Sequence, residues 1–82
     1  MKIIRFTAEW CQPCKSLAKM LTEIQSPVPV EVVDVDDNPG LAEKYQIRSV
    51  PTMLMISSGN EVDRLVGSHS KEKIQTWLKI PK

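Results

Sequence analysis

Eighty-two residues are too few for two cores and enough for one, so the chain is read as a single domain over residues 1–82. Apolar residues make up 41% and charged residues 26%, which excludes a disordered chain. Eleven bases against ten acids leave a net charge of +1, which argues against nucleic acid or a membrane surface as partner, and no apolar run approaches the ~18 residues of a spanning helix.

Residues Lys2 to Thr7 read as a short strand rich in β-branched and aromatic side chains. Arg5 breaks the apolar start, so no signal peptide is read and a cytoplasmic location is expected. A helix follows, with Leu17, Met20, Leu21 and Ile24 on one side, Lys15, Lys19 and Glu23 on the other, and Pro13 in its first turn. Ser26-Pro27-Val28-Pro29 ends it. Val30 to Val35 is a second strand, apolar enough to predict burial on both faces. The segment 31–43 carries Glu31, Asp34, Asp36, Asp37 and Glu43 and no base, a pattern read as a solvated strand end and turn. Asn38 is a predicted N-cap and Pro39 the first residue of a short helix reaching Tyr45. Thr52 to Ser57 and Glu61 to Val66 read as a β-hairpin turning at Ser58-Gly59-Asn60. Gly67 breaks the last strand. Ser70 caps a final helix with Ile74, Trp77 and Leu78 on one face, and Pro81 stops it. The predicted order is β-α-β-α-β-β-α. The first two strands are joined by a helix and so run parallel, whereas the last two run antiparallel.

Both cysteines lie in one tetrapeptide, Cys11-Gln12-Pro13-Cys14. A bridge across so few residues constrains the unfolded chain very little, which makes a purely structural disulfide a poor reading. The pair sits where the first strand gives way to the first helix. The unpaired N–H groups and partial positive charge of a helix start stabilise a thiolate. Cysteine pKa values fall from ~8.5 to between ~3.5 and ~7.5 in such settings. The i, i+3 spacing brings the two sulfurs together. Cys11, at the cap, is predicted to be the exposed, attacking thiol, and Cys14, one turn in, the resolving thiol. Two thiolates are half of a zinc shell, and His69 and the acids supply no matching spacing, so no metal is predicted. His69 reads as a solvated loop residue, Trp77, Met53 and Met55 as core, and Tyr45 as packing for the short helix.

Ala8-Glu9-Trp10-Cys11-Gln12-Pro13-Cys14-Lys15 resembles the active-site segment of the thioredoxin family, with Gln12 where that family usually has glycine. Asp36-Asp37-Asn38-Pro39-Gly40 resembles its acidic turn, Ile47-Arg48-Ser49-Val50-Pro51-Thr52 its cis-proline segment, and Val66-Gly67 its closing glycine. The resemblance implies a minimal thioredoxin fold, a four-stranded mixed sheet flanked by three helices, lacking the family's usual first strand and helix. It implies a Val50–Pro51 cis bond facing the cysteines, with the Val50 main chain pairing with an extended substrate and Trp10 half-exposed beside Cys11. Trp10, Gln12, Pro13, Val50, Pro51 and Gly67 are thereby the expected substrate-binding residues. Arg5 stands where the family usually buries an aspartate, and Lys19 where it usually has a helix-kinking proline. Arg5 must reach water or pair with an acid, for which Asp34 and Glu9 are candidates.

The implied activity is that of a small dithiol–disulfide oxidoreductase without a bound cofactor. It would reduce protein disulfides as a monomer and be recharged by an NADPH-dependent thioredoxin reductase. A glutathione-dependent, glutaredoxin-like protein is the first alternative, favoured by length and opposed by Gln12-Pro13 and by Gly67-Ser68-His69-Ser70, which lacks the glutaredoxin Gly-Gly and acidic pattern. A non-redox binding module on the same fold is the second.

Overall fold

A computed structural model describes residues 1–79. The elements are β1 (Lys2–Thr7), α1 (Gln12–Leu21), β2 (Val30–Asp34), α2 (Pro39–Lys44), β3 (Thr52–Ser57), β4 (Asn60–Val66) and α3 (Lys71–Lys79). The expected stop at Pro81 lies outside the described residues.

The four strands form one sheet in the order β2-β1-β3-β4. β1 runs parallel to β2, with Ile3 opposite Val30 and Thr7 opposite Asp34. It runs antiparallel to β3, with Ile3 opposite Met55 and Phe6 opposite Thr52. β3 and β4 form an antiparallel hairpin whose register slips between Met55 and Ile56. Successive side chains of a strand point to opposite faces, so each central strand supplies two cores. On one face Ile3, Met53 and Met55 pack with Leu17 and Ile24 from α1 and its following loop, and with Ile74, Trp77 and Leu78 from α3. On the other, Ile4, Phe6, Leu54 and Ile56 pack against Leu41, Tyr45 and Ile47 in and after α2. Phe6 and Tyr45 meet as tilted rings with centroids 6.1 Å apart.

Two sequence expectations change here. β2 is an edge strand: only Val33 of its valines is buried, while Val30 and Val32 are exposed. An apolar run looks the same whether it is covered on two faces or on one, and here the helices cover the middle of the sheet. Asn38 occupies the N-cap position of α2 but makes no side-chain cap bond. Its Nδ2 instead donates to the carbonyl of Asp34 at 3.1 Å, which closes the acidic turn. Ser70 does cap α3, accepting from the Lys73 N–H at 3.1 Å.

Candidate active site

The C-terminal end of β1 delivers the chain to the start of α1. A turn closed by the Cys11 N–H to the Ala8 carbonyl (3.2 Å) sets Cys11 as the N-cap of α1, with extended backbone angles of φ −93° and ψ 105°. Its sulfur accepts the Cys14 N–H at 3.1 Å, the bond that a serine or aspartate oxygen makes at ordinary caps. Pro13 falls in the first turn of α1, where its missing N–H costs nothing. Cys11 and Cys14 are joined as a disulfide, and their Cα atoms lie 5.3 Å apart, within the usual span for bridged pairs.

Cys11 is not the exposed residue that its cap position suggests. It is 4% exposed and Cys14 is 1% exposed; Ala8, Val35 and Val50 pack around them. The Val50 carbonyl lies 3.7 Å from Cys11 Sγ, within reach of a thiol donor. The cover comes from a segment almost forty residues away, which no local reading supplies. Gln12 and Pro13 lie exposed on the rim.

The Val50–Pro51 peptide bond is cis. The segment holding it is fixed at several points. Thr52 Oγ1 donates to the Ser49 carbonyl at 2.8 Å. The Gly67 N–H donates to the Pro51 carbonyl at 2.9 Å. Gly67 has φ +87°, a region where a side chain would be strained. Upstream, Gln46 turns the chain out of α2 with φ +54°, and Arg64 on β4 grips that turn. Its Nη2 donates to the Tyr45 carbonyl at 2.6 Å and its Nη1 to the Gln46 carbonyl at 3.4 Å. Glu61 takes the other side of the guanidinium, at 2.7 Å from Nε and 2.8 Å from Nη2. This contact holds the Glu61 carboxyl below its ordinary range and raises the Arg64 pKa. Sequence reasoning missed Arg64, since nothing in β4's alternation marks a bond to residues nearly twenty positions away.

Trp10 is 69% exposed, more than the half expected. Its indole Nε1–H donates to Asp36 Oδ2 at 2.9 Å, which ties the ring to the acidic turn. The ring divides two depressions beside the cysteines. One, about 410 Å³, is acidic and is formed by Glu9, Trp10, Asp34, Asp36 and Asp37. The other, about 120 Å³, is mostly apolar and lies between Trp10, Val35, Ile47, Arg48, Ser49 and Val50. Asp34, Asp36 and Asp37 of the acidic segment thus line one of the two depressions, and Asp36 and Asp37 are exposed, as a solvated turn requires.

Arg5 pairs with neither Asp34 nor Glu9. It is 9% exposed, and burial alone moves its pKa, downward. Its side chain lies against the second half of α1 and β2, in a crevice with Ala18, Leu21, Thr22 and Val32. His69 is half-buried, with Nε2 2.7 Å from the Val66 carbonyl. Trp77 packs in the core and donates from Nε1 to Asp63 Oδ2 at 2.8 Å. Among the described residues no helix is long and apolar enough to cross a membrane, and no group of three or more His, Cys, Asp or Glu is placed to hold a metal ion.

The Thioredoxin family model matches residues 1–80. The chain belongs to the thioredoxin family. It is 38% identical over 80 residues to the thioredoxin of Rickettsia bellii, an alignment covering 93% of this chain and 76% of that one. Against the thioredoxin of Chlamydia caviae it is 41% identical over 75 residues, covering 88% and 74%. Its backbone is similar to that of a mutant thioredoxin from Halobacterium salinarum, with a TM-score of 0.87 at 30% identity, over 95% of this chain and 71% of that one. This thioredoxin-family chain is a dithiol–disulfide oxidoreductase built on the Cys11–Cys14 pair. Members of the family reduce disulfides of proteins and are themselves reduced by thioredoxin reductase.

Proposed function

We propose that residues 1–82 act as one thioredoxin-like domain in which Cys11 is the nucleophile, Cys14 the resolving thiol and the Val50 main chain the docking edge for substrate. The observation that supports this most is the position of Cys11 Sγ at the start of α1, accepting the Cys14 N–H and facing the Val50 carbonyl. When the pair is reduced, the same N–H and the positive end of α1 favour the Cys11 thiolate. That thiolate attacks one sulfur of a substrate disulfide. The bond between the substrate sulfurs breaks, a mixed disulfide forms at Cys11, and the leaving thiolate takes a proton. The Cys14 thiolate then attacks Cys11 Sγ, releases the second substrate thiol and closes the Cys11–Cys14 bridge. Two electrons have passed to the substrate, one pair of thiols for one disulfide.

The mostly apolar depression between Trp10 and Ile47–Val50 suits the residues flanking a substrate disulfide, which would lie extended against Val50 as an added strand. Trp10 lines that depression, and on this reading Gln12, Pro13, Pro51 and Gly67 are the other residues that meet the substrate. The cysteines have apolar neighbours, so the Cys14 proton passes to water or to the leaving thiolate. Electrons return from an NADPH-dependent thioredoxin reductase, and the setting is the cytoplasm. The roles of the two thiols separate in one experiment. Cys14→Ser should accumulate a mixed disulfide through Cys11 when mixed with oxidised insulin, and iodoacetamide should label Cys11 first in the reduced protein. Faster labelling of Cys14 would reverse the assignment.

A further inference from the structure

Arg5 lies on a central strand, 9% exposed, and burial pushes its guanidinium below its ordinary pKa with no neighbouring carboxylate to offset this. The acids around it are engaged elsewhere. Glu31 pairs with Lys2, Glu23 with Lys71, and Asp34 Oδ1 accepts the N–H groups of Asp36 and Asp37. The arginine lines an open crevice of about 220 Å³ with Ala18, Leu21, Thr22, Val30 and Val32. Val30 and Val32 are 36% and 54% exposed.

This crevice runs along the outer edge of the sheet. Ile3 N–H bonds the Pro29 carbonyl and Val35 N–H the Thr7 carbonyl. A parallel ladder alternates, so residues 29, 31, 33 and 35 face β1 while Val30 and Val32 turn their N–H and C=O groups outward. Among the described residues no strand pairs there. The opposite edge, β4, is blunted by a register slip and by Asp63 and Arg64. β2 has no slip, no proline and no lysine, and on Arg5's face its first two side chains are valines.

We propose that the outer edge of β2 takes an extended peptide segment of a partner protein by strand addition, with a Glu or Asp side chain crossing Val32 to the Arg5 guanidinium and apolar residues two positions either side. The chemistry is that of a carboxylate on a partly desolvated arginine fork. The crevice is smaller than the ~300–1,000 Å³ of small-molecule sites and open to solvent, a size for one or two side chains presented by a strand. It is separate from the Val50 edge, and redox turnover does not depend on it.

The test uses the ¹⁵N-labelled 82-residue protein and the peptide acetyl-Val-Thr-Glu-Thr-Val-amide. Saturable shifts of the Val30 and Val32 amides and of Arg5 Nε–H are expected. Affinity should fall about tenfold or more when the peptide Glu becomes Gln, or with Arg5→Met. Val32→Lys, which leaves Arg5 in place, should remove binding and covers the case in which Arg5→Met does not fold. The proposal is overturned by shifts confined to the Val50 groove, by absence of shifts at millimolar peptide, or by equal affinity for the Glu and Gln peptides. Broadening of the β2 amides without peptide, together with a doubled mass in sedimentation, would assign the edge to a second copy of the chain and overturn it as well.

Discussion

Replacing Arg64 with methionine keeps the aliphatic stem and removes the guanidinium that joins β4 to the end of α2. The short bond to the Tyr45 carbonyl, 2.6 Å and partly buried, is the main loss; charge-assisted bonds of this kind contribute about 1.5–3 kcal/mol. The bond to Gln46 is long at 3.4 Å and adds little. The ion pair with Glu61 joins side chains 28% and 31% exposed, so solvent screens it and about 0.2–1 kcal/mol is appropriate. The sum is about 2–4 kcal/mol. At roughly 4–8 °C per kcal/mol for a domain of this size, Tm should fall by at least about 8 °C. Arg64→Lys should recover only part, because an ammonium cannot bridge Glu61 and the carbonyl in one plane. The pH dependence gives a second signature. Arg64 holds the Glu61 pKa below its unfolded value, so this contribution is present above the unfolded carboxylate pKa, near ~4.3, and is lost as pH falls through the lowered folded value. Arg64→Met should lack that acid-dependent component. The assay is urea denaturation of both proteins at neutral pH and across the acid range, with Glu61→Gln completing a double-mutant cycle. A cost within about 0.5 kcal/mol, the range of inert surface changes, would refute the reasoning.

Arg64→Met should also raise KM for insulin with little change in kcat, because it loosens the turn that leads to Val50 and leaves the cysteines untouched; steady-state kinetics checks the split. Arg5 lies against the second half of α1, so the pH profile of mixed-disulfide resolution in Arg5→Met should superimpose on wild type in stopped-flow measurements; a displaced profile would place its charge at Cys14. Ile74→Ala removes a 1%-exposed side chain by which α3 packs on the sheet and should cost about 2–5 kcal/mol in urea melts, without altering the order in which iodoacetamide labels the cysteines. Asp36→Leu should change Trp10 fluorescence through loss of the indole bond and cost no more than about 1 kcal/mol, since both groups are exposed.

The redox pair, the β-α-β-α-β-β-α order and the central core were legible because each rests on short-range pattern. A short apolar run bounded by Pro51 and the Ser58-Gly59-Asn60 turn marks β3, three- and four-residue spacing marks α1 and α3, and Cys11 falls where a strand becomes a helix. What was not legible depends on long-range closure. Asp36 holds Trp10 and Arg64 grips the Tyr45–Gln46 turn, across separations of 26 and 18 to 19 residues; the Val50 segment, 39 residues from Cys11, was placed facing the cysteines by the family resemblance, but the burial it imposes on Cys11 was not. Val30 and Val32 read as buried because sequence records a side chain's polarity and not whether anything lies above it. Arg5 was assigned candidate acids by proximity along the fold, yet its long stem carries the charge to the α1–β2 rim, away from both.

The measurement that tests the central claim most directly is the rate of insulin reduction by the wild-type protein with two electron sources side by side: NADPH with thioredoxin reductase, and glutathione with glutathione reductase. Turnover through Cys11 and Cys14 should be fast with the NADPH-linked thioredoxin reductase, slow with glutathione, and abolished by Cys11→Ser. Faster recycling by glutathione, or turnover that survives Cys11→Ser, would contradict the account.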